Sequence, residues 1–328
     1  MWDWETGIYV LGENASSEYP YFGSNFWQPW SKKSRLKYFD ANGELKSEET
    51  IDLEIHGGWS RAEPQKSFRL DFKNQYSGLF EHPIMNNKSN ISSFNNLNLR
   101  NGGQHVWSDK LQDAIISNIA RGTNISYSSW EPAILYLNGD FWGIYGVREK
   151  IDEHYVENNF AVSSESVDLM NTFEVLHGEG LSFNSDVEHI LNSDPESDSF
   201  INTFGSVFDL NSYIDYFVFE TYTQNSDWIG IFWNANNMKL FRSDQMDGKW
   251  RYAMYDMDAS YGYFGAGLSD NYIEYARNPG FENDHSMIFD HALENDNFKF
   301  IIDDKSGAIQ EVSPKQAMTQ IINGLNDK

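Results

Sequence analysis

Cysteine is absent from the 328 residues, which excludes disulfides, thiolate metal sites and thiol nucleophiles and leaves the cellular compartment open. Cations are scarce: 24 Lys and Arg stand against 49 Asp and Glu, a formal net charge of -25. Phosphate backbones and anionic lipids are held by clustered Lys and Arg, and no such cluster occurs, so nucleic-acid binding is not expected. A cationic partner or a metal is more compatible with this charge, although acidity also serves solubility or a saline habitat. No stretch approaches the roughly 18 uninterrupted apolar residues of a membrane helix, so no membrane insertion is expected. The opening Met1-Trp2-Asp3-Trp4 lacks the basic and apolar regions of a secretory signal. A secreted, cell-surface or coat location stays open, any signal lying outside this sequence. No internal repeat is seen.

What is present is globular in character, with 40% hydrophobic and 16% aromatic residues. The chain reads as α+β. The first 165 or so residues are mainly strands with two helices and the remainder helices around a short strand pair, so one domain over 1–328 is expected, with lobes at 1–165 and 166–328. Ile51, Leu53 and Ile55 alternate on one face of a strand, a turn-rich segment from His56 to Pro64 follows, and a second strand is expected over 66–73. Ser108-Asp109 open a helix with the stripe Leu111, Ala114, Ile115 and Ile119, packed on the sheet and stopped by Gly122. Asn138-Gly139 signal a tight hairpin between Ala133–Leu137 and Phe141–Val147, leading to a helix at 152–160. Residues 176–206, rich in Ser, Asn and Asp, read as a loop. Asp209–Tyr222 reads as a helix apolar enough to be buried on most sides, aiming Asn225 and Asp227 beyond its end, and the tail from 285 as helical.

Arg251 to Asp258 reads as a strand on which Tyr252, Met254, Asp256 and Asp258 share one face, running an apolar surface into two carboxylates. Two buried acids side by side repel and ask for a cation or for Lys/Arg partners; a solvated turn is the plainer alternative. Lys66 extends the core face of Phe68, Leu70 and Phe72, so it needs a carboxylate or a bound anion unless it snorkels to water from the strand's start. Glu149, at a strand-to-helix junction, is its natural partner, or an ordinary first-turn acid. Asn225-Ser226-Asp227 and Asn236-Asn237 are spaced to share a metal or position a hydroxyl, or are simply turns. A Lys and a Glu in the first half, then a loop Asp, an Asn and an Asp pair, follow the order used for phosphoryl transfer. The Gly-rich phosphate loop, His-Arg-Asp and Asp-Phe-Gly signatures of ordinary kinases are missing.

The sequence resembles the spore-coat CotH atypical protein kinases. The resemblance rests on Ile55-His56-Gly57-Gly58-Trp59-Ser60-Arg61 with Pro64-Gln65-Lys66-Ser67-Phe68-Arg69-Leu70, and on Leu137 to Tyr145 with Glu149-Lys150-Ile151-Asp152. It rests further on Asn225-Ser226-Asp227-Trp228 and on Tyr255-Asp256-Met257-Asp258-Ala259-Ser260-Tyr261-Gly262. It implies a diverged bilobal protein-kinase-like fold, strand-rich in its N-terminal lobe, that binds ATP and magnesium and phosphorylates serine on a Ser-rich or basic partner protein, with Ca2+ or Mn2+ as substitute ions. By the same resemblance Lys66, Arg69 and Arg61 face the phosphates, Glu149 supports the Lys, Asp227 is the catalytic-loop acid, and Asn236 or Asn237 with Asp256 or Asp258 holds metal. ATP and magnesium are then expected to bind together where the two halves meet. The chain departs from the family at Ile229–Ala235, which lengthens the link between Asp227 and the Asn pair, and after Phe298, where a shortened final helix or a truncated domain is expected.

Two other readings stand beside this one. A catalytically silent module of a coat or surface assembly would keep the fold alone, its acids serving a structural calcium. Carbohydrate binding would use the aromatic faces of Trp4, Trp27, Trp30, Trp59, Trp130 and Trp142, unless these pack in the core.

Overall fold

The computed structural model describes residues 1–302 apart from 73–75, 77, 181, 266 and 268. The expected strand end at Lys73 and the tail beyond Ile302 lie outside the described residues. The architecture is mixed α+β, and the chain separates into two compact units, Met1–Ala114 with Ser129–Lys150 and Ile115–Ser128 with Ile151 onward.

The first unit is built on strands β1 (Ser31–Phe39), β2 (Leu45–His56) and β3 (Ser67–Asp71), a two-residue pair β4 (Phe80–Glu81) and β5 (Ser93–Phe94), and β6 (Asn96–Arg100). After helix α1 (Gln112–Ile119) and strand β7 (Ser126–Tyr127), it is completed by β8 (Trp130–Leu137) and β9 (Asp140–Glu149). Six strands form one antiparallel sheet in the order β1-β2-β3-β6-β9-β8. Residues paired across an antiparallel ladder share a face, so its register sorts the side chains. Ile55, Phe68, Leu99 and Val147 form one buried row, and Leu53, Leu70 and Leu97 begin a second that ends on Glu149. On the opposite face runs a polar row of Glu54, Arg69, Asn98 and Arg148. Asp113 closes against that face through Arg100 at 2.7 Å and Arg148 at 2.9 Å; burial penalises its charge, but the two guanidiniums outweigh this and hold it below the usual carboxylate range. The β8–β9 hairpin turns at Asn138 and Gly139, both left-handed at φ 55° and 92°, as the mirror-image turn requires.

In the second unit α1 and β7 are joined by α2 (Glu153–Phe160), β10 (Val167–Asn171), β11 (Glu174–His177), α3 (Ser182–Leu191), α4 (Phe200–Val207) and α5 (Leu210–Tyr222). The strands β12 (Lys239–Ser243) and β13 (Arg251–Met254) and the helices α6 (Tyr272–Arg277) and α7 (Asp284–Ala292) follow. The sheet order is β11-β10-β12-β13-β7, with β7 parallel to β13 and the other pairs antiparallel. Two expectations are corrected. The segment 176–206 is no loop: Phe183, Val187 and Ile190, then Phe200, Phe204 and Val207, recur at helical spacing and are buried, while the polar residues around them face outward. Helix α1 begins at Gln112, because Asp109 accepts from the Leu111 amide at 2.9 Å in a turn ahead of it. Its buried edge carries Ala114, Ile116 and Ala120 in place of a stripe through Leu111.

Helix α5 is buried continuously from Ser212 to Thr221. Its rings stack on their neighbours, Phe217 on Phe289 at 4.5 Å and Tyr216 on Tyr252 at 4.7 Å. Tyr252 donates its hydroxyl to Nδ1 of the buried His285 at 2.7 Å, and His285 Nε2–H donates to the Thr172 carbonyl at 3.1 Å. Burial pushes this imidazole down to about 4. The unfolded chain therefore takes up a proton that the folded chain refuses, and stability falls as pH drops below the ordinary value of 6.5 toward 4. Urea denaturation from neutral to acid pH is expected to lose about 3 kcal/mol from this residue. His285→Gln, which keeps one donor and one acceptor, should remove that share of the loss; an unchanged acid profile would exclude His285 as its source.

Candidate active site

In the first unit the candidate residues gather around the loop between β2 and β3. Gly57, at φ 106°, turns the chain where a Cβ would meet Ser60 Oγ at 2.4 Å. Arg61 anchors the loop by donating from Nε to Gly57 O at 2.6 Å and from Nη1 to Phe26 O at 3.1 Å. Lys66 lies just before β3 with its side chain turned inward, 3% exposed. Its Nζ donates to the carbonyls of Arg61 at 2.5 Å and Glu63 at 3.0 Å and sits 3.7 Å above the Phe26 ring. Burial lowers this ammonium to about 8, with Glu63 pulling the other way. The expected pairing with Glu149 is corrected: the Lys66 ammonium hydrogen-bonds to the loop carbonyls of Arg61 and Glu63. Arg69, on the other face of β3, approaches Glu54 at 3.7 Å and His56 at 3.5 Å.

Glu149 ends an apolar row of the sheet and is buried accordingly. Its Oε2 accepts from Lys88 Nζ at 2.6 Å and from the Ser129 amide at 2.9 Å. Burial lowers the Lys88 ammonium, against the pull of Glu149. Nothing in the polar run Asn86-Asn87-Lys88 marks that lysine in the sequence.

In the second unit α5 delivers its C-terminal end to a loop that carries Asp227. Asp227 Oδ1 accepts from Trp233 Nε1 at 2.6 Å and Asn236 Nδ2 at 3.5 Å, and Oδ2 from Asn237 Nδ2 at 2.9 Å. The long link from Ile229 to Ala235 thus does not separate Asp227 from the Asn pair, since a tight turn at Ile229 and Gly230 (φ 38° and 91°) folds it back. Trp233, a donor to the central carboxylate, was not marked by any motif. Burial raises the Asp227 carboxyl above its ordinary value, the Asp256 charge adds to this, and the three donors oppose it.

The acid pair is placed differently from the expected strand. Strand β13 stops at Met254, Asp256 is left-handed at φ 55°, and Asp258 is buried in a single 3-10 turn, Met257–Ala259. The two carboxylates therefore do not share a pleated face; the left-handed backbone at Asp256 breaks the alternation. The Asp227 and Asp256 loops are laced together, Ser226 N donating to Ala259 O at 3.2 Å and Tyr261 N to Thr223 O at 2.7 Å. Gln224, Ile229, Asn237, Asp256 and Tyr261 all hold positive φ here, a concentration of backbone strain of the kind found at functional sites. Among the described residues no group of three or more His, Asp or Glu is arranged to hold a metal ion.

A mixed α+β protein with these loops matches a known family over most of its length. The chain belongs to the family described as CotH kinase protein, whose model matches residues 53–310 and so includes Arg61, Lys66, Arg69, Glu149, Asp227, Asn236, Asn237, Asp256 and Asp258. No curated protein matches the chain.

The Lys88–Glu149 pair yields a stability test. Lys88→Met leaves a carboxylate on the apolar face of the sheet without this cation and is expected to cost about 3 to 5 kcal/mol in urea denaturation. Lys66→Met, which strands only carbonyls beside a loop, should cost about 1 to 2 kcal/mol. Equal losses would contradict the division of roles between the two lysines.

Proposed function

We propose that the chain is a magnesium-dependent protein kinase with a diverged bilobal kinase-like fold, transferring the γ-phosphoryl group of ATP to a serine hydroxyl of a partner protein. The observation that carries the reading is the constellation of Asp227, Asn237 and Asp256 on two laced loops inside the matched region. Asp227 is the group that orients the acceptor hydroxyl and takes its proton as the serine oxygen bonds to phosphorus and ADP departs. Its raised proton affinity suits that task, and the donors Trp233, Asn236 and Asn237 fix the direction of its oxygens. Asp256, with Asn237 or Asn236, would hold magnesium; Asp258 is the alternative acid. The Asp256 charge adds to the raised proton affinity of Asp227, an arrangement that favours a cation, and magnesium needs only one or two acids besides water and phosphate oxygens. A calcium cage draws on more protein oxygens, so the magnesium reading fits this donor set better. The ion would neutralise charge on the transferring phosphoryl group. Lys66, Arg61 and Arg69 would serve the phosphates, Lys66 and Arg61 by fixing the Gly57–Gln65 loop, while Glu149 acts through Lys88.

A second reading, a non-catalytic module that binds glycans, draws on one feature. Trp59 and Trp107 are 58% and 74% exposed, and Trp107 Nε1 and the Tyr19 hydroxyl both donate to the Glu63 carboxylate, holding aromatic rings at the surface. Calorimetry separates the two. Heat on adding ATP that requires magnesium supports the kinase, and Asp256→Asn should abolish it more completely than Asp258→Asn; no heat at millimolar ATP, with a signal from soluble oligosaccharide, supports the module.

The chemical role of Asp227 is tested by Asp227→Ala, which should abolish radiolabel transfer to a Ser-rich acceptor while ATP affinity stays within about twofold. Transfer at wild-type rate would remove Asp227 from the chemistry. Loss of ATP binding in a variant still folded by circular dichroism would make it a metal ligand instead.

A further inference from the structure

Beneath the Asp227 loop lies a carboxyl group to which no role has yet been given. Glu220, in the last turns of α5, is 1% exposed among the aromatic side chains of that helix. An apolar residue would occupy this position without the desolvation cost of a carboxyl group, so the polar atoms there need a reason. Glu220 Oε2 accepts from Asn225 Nδ2 at 2.9 Å, and the Asn225 amide donates to the Glu220 carbonyl at 3.2 Å. Asn225 passes the constraint outward, its Oδ1 accepting from the Asp227 backbone amide at 3.1 Å. The Asn225 Nδ2 group also reaches Met257 Sδ at 3.5 Å, in the turn between Asp256 and Asp258. One amide side chain thus bonds helix α5, the Asp227 backbone and the acid-bearing turn together.

We propose that Glu220 is a positioning residue, fixing Asp227 for phosphoryl transfer through Asn225. The inference rests on the reading of Asp227 as the acid that orients the acceptor. Burial pushes the Glu220 carboxyl up to about 8, against the pull of Asn225 and Tyr216, so it stands protonated at neutral pH and an amide can replace it in shape and charge. The role is geometric and asks nothing of its ionisation.

The test compares Glu220→Gln, Glu220→Leu and Asn225→Ala in the full chain, with folding checked by circular dichroism. Glu220→Gln keeps the acceptor for Asn225 and should retain kcat within about threefold. Glu220→Leu and Asn225→Ala should each lower kcat about 100-fold, the scale of a small misplacement of a reacting group, with ATP affinity in magnesium held within about twofold. The double variant Glu220→Leu/Asn225→Ala should lose little more than either alone, because both cut one connection. A folded Glu220→Leu protein with wild-type kcat, or a Glu220→Gln protein as impaired as Glu220→Leu, would overturn the proposal. If the wild-type chain transfers no phosphate, the kinase reading fails, and crystal structures of the variants decide the inference alone. The contact from Asn225 Oδ1 to the Asp227 amide should survive in Glu220→Gln and be lost in Glu220→Leu; its survival in Glu220→Leu would overturn the connection.

Discussion

The second unit depends on a helix that has almost no water around it. Helix α5 is buried through Ser212–Thr221, and three acids at its start and along its length bond to other segments of the unit. Asp209 caps the helix through the Ser212 amide and draws Arg251 of β13 to 2.8 Å. Asp215 takes both the backbone and side-chain N–H of Asn124 at 2.8 Å. Glu220 takes Asn225. A helix assembled from Tyr and Phe alone would bury as much apolar surface and leave those three segments without a register.

The sheet of the first unit meets the same constraint with charges. Its two faces are separated by strand alternation, one apolar and one polar, and two of its buried acids sit where that division is violated or completed. Glu149 is a buried acid ending an apolar row, and Lys88 meets it. Asp113 spans Arg100 and Arg148 on the polar face. Lys66 lies outside both arrangements, since carbonyls of the loop preceding β3 surround it. That explains why the segment from Gly57 to Gln65 holds a defined shape with almost no regular structure of its own.

Local signals carried much of this into the sequence. The Asn138-Gly139 turn, the helix expected over 152–160 and the apolar run of α5 are each decided by neighbours a few residues apart, and each was legible. The family was legible as well, through the motifs that carry Lys66, Glu149, Asp227 and Asp256, and the match at 53–310 establishes it. What was hidden depends on distance or on backbone shape. Lys88 and Glu149 are 61 residues apart, and no local pattern joins them. The alternation from Tyr252 to Asp258 suggested a strand, and no residue in it marks the left-handed turn at Asp256. Helices α3 and α4 were obscured because their solvent faces are so rich in Ser, Asn and Asp that composition outweighed a regular apolar period.

The five positive-φ residues around Asp227 have a thermodynamic consequence. Left-handed backbone costs a residue other than glycine roughly 1 to 3 kcal/mol, most of all the β-branched Ile229. The loops at 224–237 and 256–261 thus stand above their own relaxed state, held there by α5 and by each other. Opening these loops would release that strain, so their backbone amides are expected to exchange at a smaller free energy than those of α5. A ligand that gripped Asp227, Asn237 and Asp256 together would bind these loops only in the strained form, so its affinity would appear as slowed hydrogen exchange at this rim and not in the buried helix.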